Sequence, residues 1–213
     1  QRPRRTAAII ATNLLQWALY YPAVLEPSEL EMSATDRRAA ARSLESYRVG
    51  DLPAALEQYP EQGAAGPGGR LYRAGVLLGV GRVEEARAAI SGVAGSHPGR
   101  RALERMIAAV KFMEAEEWKR ESLKTMGEAL AESYYLQSRS DLVGAREAAR
   151  MAITLAPENG YAWARVAELE FSFSRTREAG AALAKALRLA PRNAQAHALR
   201  GFLLSADNRI EDA

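Results

Sequence analysis

Few side chains in this chain could run a reaction, and their spacing does not gather them. The two histidines, His97 and His197, stand 100 residues apart, without the short spacing by which imidazoles share a metal ion. There is no cysteine, which removes thiol catalysis, thiolate metal sites and disulfides. Carboxylates cluster at Glu84-Glu85, Glu114-Glu116-Glu117 and Glu168-Glu170. Such pairs suit proton exchange, but runs like these more commonly form the solvated face of a helix. Gly79-Val80-Gly81 lacks the third glycine and the preceding strand of a dinucleotide loop, and no GKS/T, HExxH or GxSxG sequence occurs. A reaction centre needs convergent groups. The chain is therefore read as non-catalytic, with no cofactor and no metal.

The elements that carry these residues are helical. At 213 residues and 48% hydrophobic content the chain can bury a sizeable core. Abundant alanine favours helices and lets them approach closely. Basic residues number 29 and acidic residues 26, interspersed as on solvated helix faces. No apolar run reaches the roughly 18 residues that span a bilayer. The ends at Gln1 and Ala213 read as those of a fragment.

A repeat organises the second half. The stretch from Gly160 to Asn193 is followed at Ala194 by a second stretch of the same pattern, and Pro157 and Pro191 share the 34-residue offset. A period of 34 marks a helical-hairpin array. Over roughly residues 36–213 the chain resembles the tetratricopeptide repeat family. That pattern asks for a large residue at repeat position 4, small at 8, Gly at 15, Ala at 20, bulky at 24, Ala at 27 and Pro at 32. The unit from Gly160 matches with Trp163, Ala167, Ser174, Ala179, Leu183, Ala186 and Pro191. The unit from Met126 matches with Ala129, Ser133, Ser140, Ala145, Ala149, Ala152 and Pro157, and the unit from Pro67 with Ala74, Gly81, Ala86, Ile90, Val93 and Pro98. The unit from Asp36 supplies Ala39, Ser43, Gly50, Ala55 and Tyr59, and a truncated last unit supplies His197, Gly201, Asn208 and Ala213.

The resemblance implies an all-α, right-handed superhelical solenoid of antiparallel hairpins. Units are expected near 36, 67, 101, 126, 160 and 194, with residues 1–35 as an N-terminal helix and linker docked on the first. Within the short unit at 101, Arg101–Ala115 reads as a first helix and 117–124 as a stunted partner, with Trp118 plugging the thinned layer. One long bent helix over 101–119 is the alternative. His197 takes the place of Trp163 and is expected on the buried stripe.

In this family the first helices line a concave groove. Mapped by position, its lining is Arg37, Leu44, Tyr47 and Arg48; Leu71 and Leu78; Arg105, Ala109 and Phe112; Leu130, Tyr134 and Gln137; Tyr161, Glu168 and Phe171; and Phe202. An apolar, aromatic groove of this kind suits a peptide held by apolar side chains. Filling of some of these aromatics' space by the chain's own packing or by a neighbouring molecule is the alternative. A protein or peptide partner is expected, with no further cofactor. Self-association through Trp17, Tyr20 or residues 194–213 is a second reading. Nucleic-acid binding is a third and weaker one, because Arg2-Arg4-Arg5, Arg37-Arg38-Arg42 and Arg100-Arg101 lie on different units with acids between them.

Residues 7–21 read as a helix, and Ser28 with Glu31 resembles a capping box. TNLLQWALYYPAVL, AESYYLQSRSDLVGA and NAQAHALRGFLLSADNRIEDA are also similar to bacterial proteins that join a FecR-type sensor domain to tetratricopeptide repeats. This implies an envelope-associated bacterial protein, periplasmic rather than cytoplasmic.

Overall fold

The computed structural model describes residues 23–60 and 64–206. Among them it is all-helical, with no strand. In chain order come α1 (Ala34–Ala39), α2 (Ala41–Arg48), α3 (Leu52–Glu57), α4 (Pro67–Gly79), α5 (Val83–Ile90), α6 (Pro98–Val110), α7 (Met126–Ser138), α8 (Leu142–Leu155), α9 (Gly160–Ser172), α10 (Thr176–Leu189) and α11 (Ala194–Ala206). Helices α2/α3, α4/α5, α7/α8 and α9/α10 pair as hairpins, and α4 on α6, α7 on α9 and α9 on α11 join one pair to the next. The expected helix over 7–21, together with Trp17, Tyr20, Tyr21, Asn208 and Ala213, lies outside the described residues.

The same turn closes five first helices. It centres on Gly50, Gly81, Phe112, Ser140 and Ser174, each with positive φ. At each, the residue after the left-handed one donates its N–H five residues back: Asp51 to Ser46, Arg82 to Leu77, Met113 to Ala108, Asp141 to Leu136 and Arg175 to Glu170. That bond answers carbonyls the helix end leaves open. Five residues beyond four of these turns stand Ala55, Ala86, Ala145 and Ala179, all fully buried. A methyl is what fits where two helix backbones cross closely.

The third unit breaks the rule in a way that corrects the expected register. Its first helix begins at Pro98, not at Arg101, and ends at Val110, well short of Ala115. No second α-helix follows; the 113–125 stretch holds only a 3₁₀ turn at Arg120–Ser122. The long bent helix to residue 119 is absent too. The residue five beyond Phe112 is the exposed Glu117, which cannot enter a crossing built for a methyl. Without that helix the inner space is open, and Arg105 takes it. Arg105 stands seven residues before the turn, where the other units carry Ser43, Ala74, Ser133 and Ala167. Its guanidinium lies 3.5 Å from the Tyr135 ring centroid and 4.8 Å from that of Trp118. It pairs with buried Glu132 at 2.6 Å and donates to the Glu116 carbonyl. Trp118 does pack against the core at this point.

Two further expectations are corrected. His197 is exposed, although its Nε2 lies 2.7 Å from the Pro191 carbonyl, just as Trp163 Nε1 donates to Pro157. Ser28 and Glu31 form no capping box: Glu26 accepts from Ser28 N–H at the start of a 3₁₀ turn over Pro27–Leu30, and Glu31 is left-handed with φ 49°.

Candidate functional site

The first helices do not face an empty groove. Residues Ala23–Met32 run among them as a strap, and Ala23, Val24, Leu25, Leu30 and Met32 are all buried. The seat is shaped by glycines. A Cβ on Gly75 of α4 would strike Leu25, one on Gly68 would strike the Leu30 carbonyl, and one on Gly127 of α7 would lie 2.9 Å from the Val24 carbonyl. Leu30 also packs against Gly99 of α6. Tyr47 of α2 donates its hydroxyl to the Leu25 carbonyl at 2.7 Å. At the end of the strap, Arg37 Nε donates to the Met32 carbonyl.

Two carboxylates anchor the strap to helix starts. A helix leaves its first N–H groups unpaired and its N-terminus carries partial positive charge. At α7, Glu128 N–H is taken by Thr125 Oγ1. The strap takes the two before it: Met126 N–H donates to Glu29 Oε1 at 2.6 Å and Gly127 N–H to Glu29 Oε2 at 3.2 Å. Glu26 accepts from Asn159 Nδ2 at 3.0 Å, while Asn159 Oδ1 caps α9 at Ala162.

A clasp then joins the first hairpin to the last, α9/α10. Arg192 N–H donates to the Val49 carbonyl at 2.7 Å, Arg192 pairs with Asp51, and Tyr161 donates to the Tyr47 carbonyl at 2.8 Å. The Tyr47 and Tyr161 rings sit 5.1 Å apart. Burial pushes both phenols well above their ordinary pKa, so both stay neutral donors.

The predicted lining residues separate into three groups. Tyr47, Leu71 and Tyr161 meet at the strap or clasp, with Leu44, Leu78, Leu130 and Ala109 buried in the same core. Arg105 and Tyr134 are buried in polar clusters: Arg105 with Glu132, and Tyr134 beside the fully buried Arg165 at 3.9 Å from its ring. Arg165 also bonds Ser133 and Glu168. Glu168, Gln137 and Phe171 are half-buried; Arg37, Arg48, Phe112 and Phe202 are exposed, and Phe112 is a turn residue rather than a helix one. Glu26, Glu29 and Leu25 escaped the sequence reading because they precede the repeats, and Arg192 because it lies at a position the repeat pattern leaves unspecified. The one available signal was a run of apolar residues, Ala23–Leu25, followed by Glu-Pro.

The carboxylates weighed for catalysis are mostly paired with bases. Glu84 meets Lys111, Glu85 meets Arg82, and Glu170 meets Arg150 and Arg175. Among the described residues no group of three or more His, Cys, Asp or Glu is placed to hold a metal ion, and no helix is long and apolar enough to cross a membrane. No protein-family model, no curated protein and no solved structure matches the chain.

Glu29 carries a pH signature. Burial raises its pKa above the ordinary 4.5, against the two N–H bonds that lower it; Glu26 and Glu128 add repulsion. A raised folded-state pKa means the native chain binds the proton more tightly than the unfolded one. Stability attached to Glu29 is then greatest below 4.5 and declines as pH rises through the raised value. Thermal melts of wild type and Glu29→Gln across the acid range test this. Wild type is expected to gain on the variant as pH falls toward 4.5; parallel curves would contradict it.

Proposed function

We propose that this chain is a non-catalytic protein-interaction scaffold of the tetratricopeptide type. In this reading its hairpins form a right-handed superhelical solenoid whose first helices hold a partner segment. The observation that carries it is the strap: the inner face already holds ten residues of non-repeat chain, Ala23–Met32, by apolar seats, glycine clearances and a capped carboxylate. Surfaces that hold one segment this way have the makings of a peptide groove. Nucleic-acid binding is disfavoured because Arg100 is tied to Glu104 and Val93, and Arg101 to Glu128. Bacterial envelope sensing is the setting we propose with it, on the FecR-associated resemblance.

The test is capture from the source organism on two baits. Leu25→Ala weakens the strap's hold. Leu25→Ala combined with Gly75→Leu fills the seat that Leu25 leaves. Partners retained by the first bait are expected to be lost by the second. Equal recovery on both would remove the groove from the function.

A further inference from the structure

We propose that the strap is a replaceable occupant, and that its seat takes an extended partner segment bearing two apolar residues followed, four residues later, by a glutamate and a leucine. This rests on the groove reading above and adds the chemistry of what enters. The code is set by the positions of Val24, Leu25, Glu29 and Leu30. Val24 and Leu25 are buried against α4 and α7, and Leu30 packs between α4 and α6. The Glu29 carboxylate is the most selective of the four, because it completes both open N–H groups at the start of α7. Its two oxygens answer both donors at once, whereas an aliphatic or cationic side chain leaves both unanswered.

The manner of attachment makes exchange feasible. Among the described residues no backbone-to-backbone hydrogen bond joins the strap to a helix; those of Ala23–Met32 stay within the strap. Its hold on the helices is through side chains and carbonyls alone. Glu31, exposed and left-handed at φ 49°, is a strained pivot one residue before the strap ends. A tether this short gives the strap an effective concentration of order millimolar. A free segment of the same code therefore competes poorly with an intact strap and well with a weakened one.

The experiment uses the full chain and a fluorescent peptide, AVLEPSELEM, read by anisotropy. Glu29→Ala chain is expected to bind it at least about tenfold more tightly than wild type. A peptide with alanine at its second glutamate is expected to bind that variant about tenfold or more weakly, the loss typical of a charged hydrogen-bonded anchor. If Glu29→Ala does not fold by circular dichroism, Leu25→Ala carries the same comparison. Saturable binding that ignores the glutamate overturns the proposed code and leaves the groove reading standing. No saturable binding to a folded, strap-weakened variant overturns both. A wild-type mass that doubles with concentration, and halves again on adding peptide, assigns the seat to a second copy's strap and overturns a separate partner.

Discussion

Arg105→Ala is expected to cost about 3–5 kcal/mol of folding stability, the range for removing one member of a buried ion pair. For a chain of this length that corresponds to a midpoint lower by on the order of 6–20 °C. Arg105 and Glu132 are nearly solvent-free, with side-chain exposures of 2% and 6%. Truncating the arginine strands the Glu132 charge in a site with little water. It also removes the flat cation stacked between Tyr135 and Trp118, and so loosens the 113–125 chain that stands where a second helix is missing. Glu132→Ala is expected to cost a similar amount. A double variant, Arg105→Met with Glu132→Leu, removes both charges and keeps most of the volume, and is expected to recover most of the loss. Urea melts of the four proteins decide it. A double variant as unstable as the worse single one would mean that stacking and volume, not the unpaired charge, dominate.

Gly50→Ala is expected to open the clasp. Gly50 has φ 94°, a region that L side chains rarely adopt, so the backbone strain alone costs about 1–3 kcal/mol. An added methyl would also strike the backbone nitrogen of Asn193, and backbone yields less readily than a side-chain tip. The first hairpin must then move off α9/α10, losing the Val49–Arg192 bond and the Tyr47–Tyr161 contact. Hydrogen exchange at the Arg192 amide reads this directly: protection is expected to fall there while the α7 and α8 amides stay protected. Gly81→Ala, with φ 85° at the second hairpin's turn, carries the backbone cost without the Val49–Arg192 bond. Equal exchange at Arg192 in the two variants would contradict the clasp.

The repeating part of the chain was legible because the same small residues recur where helices cross. Ala145, Ala179 and Ala186 were expected inside and are fully buried. Asn159 and Asn193, one repeat apart, cap α9 and α11 through the same side-chain bond. The third unit was misphased because its markers had been replaced. Phe112 stands where glycine or serine makes the other turns, Arg105 where others have Ser or Ala, and Glu117 where others have Ala. Counted from Pro98, the three departures fall on consistent positions and together describe a hairpin that has lost its second helix. Counted from Arg101 they are invisible.

The sequence by itself determined that the chain is helical and where its repeating hairpins turn. Periodicity and small-residue spacing act over one or two turns of helix, and each hairpin needs only its neighbours. Only the tertiary structure decided that Ala23–Met32 packs against the first helices and that Val49 meets Arg192. The Glu29 bond to Met126 and the Val49–Arg192 bond join residues 97 and 143 positions apart and depend on how successive helix pairs are set against one another. No local pattern encodes contacts over such separations, so the strap's place against the first helices is not legible in residue spacing.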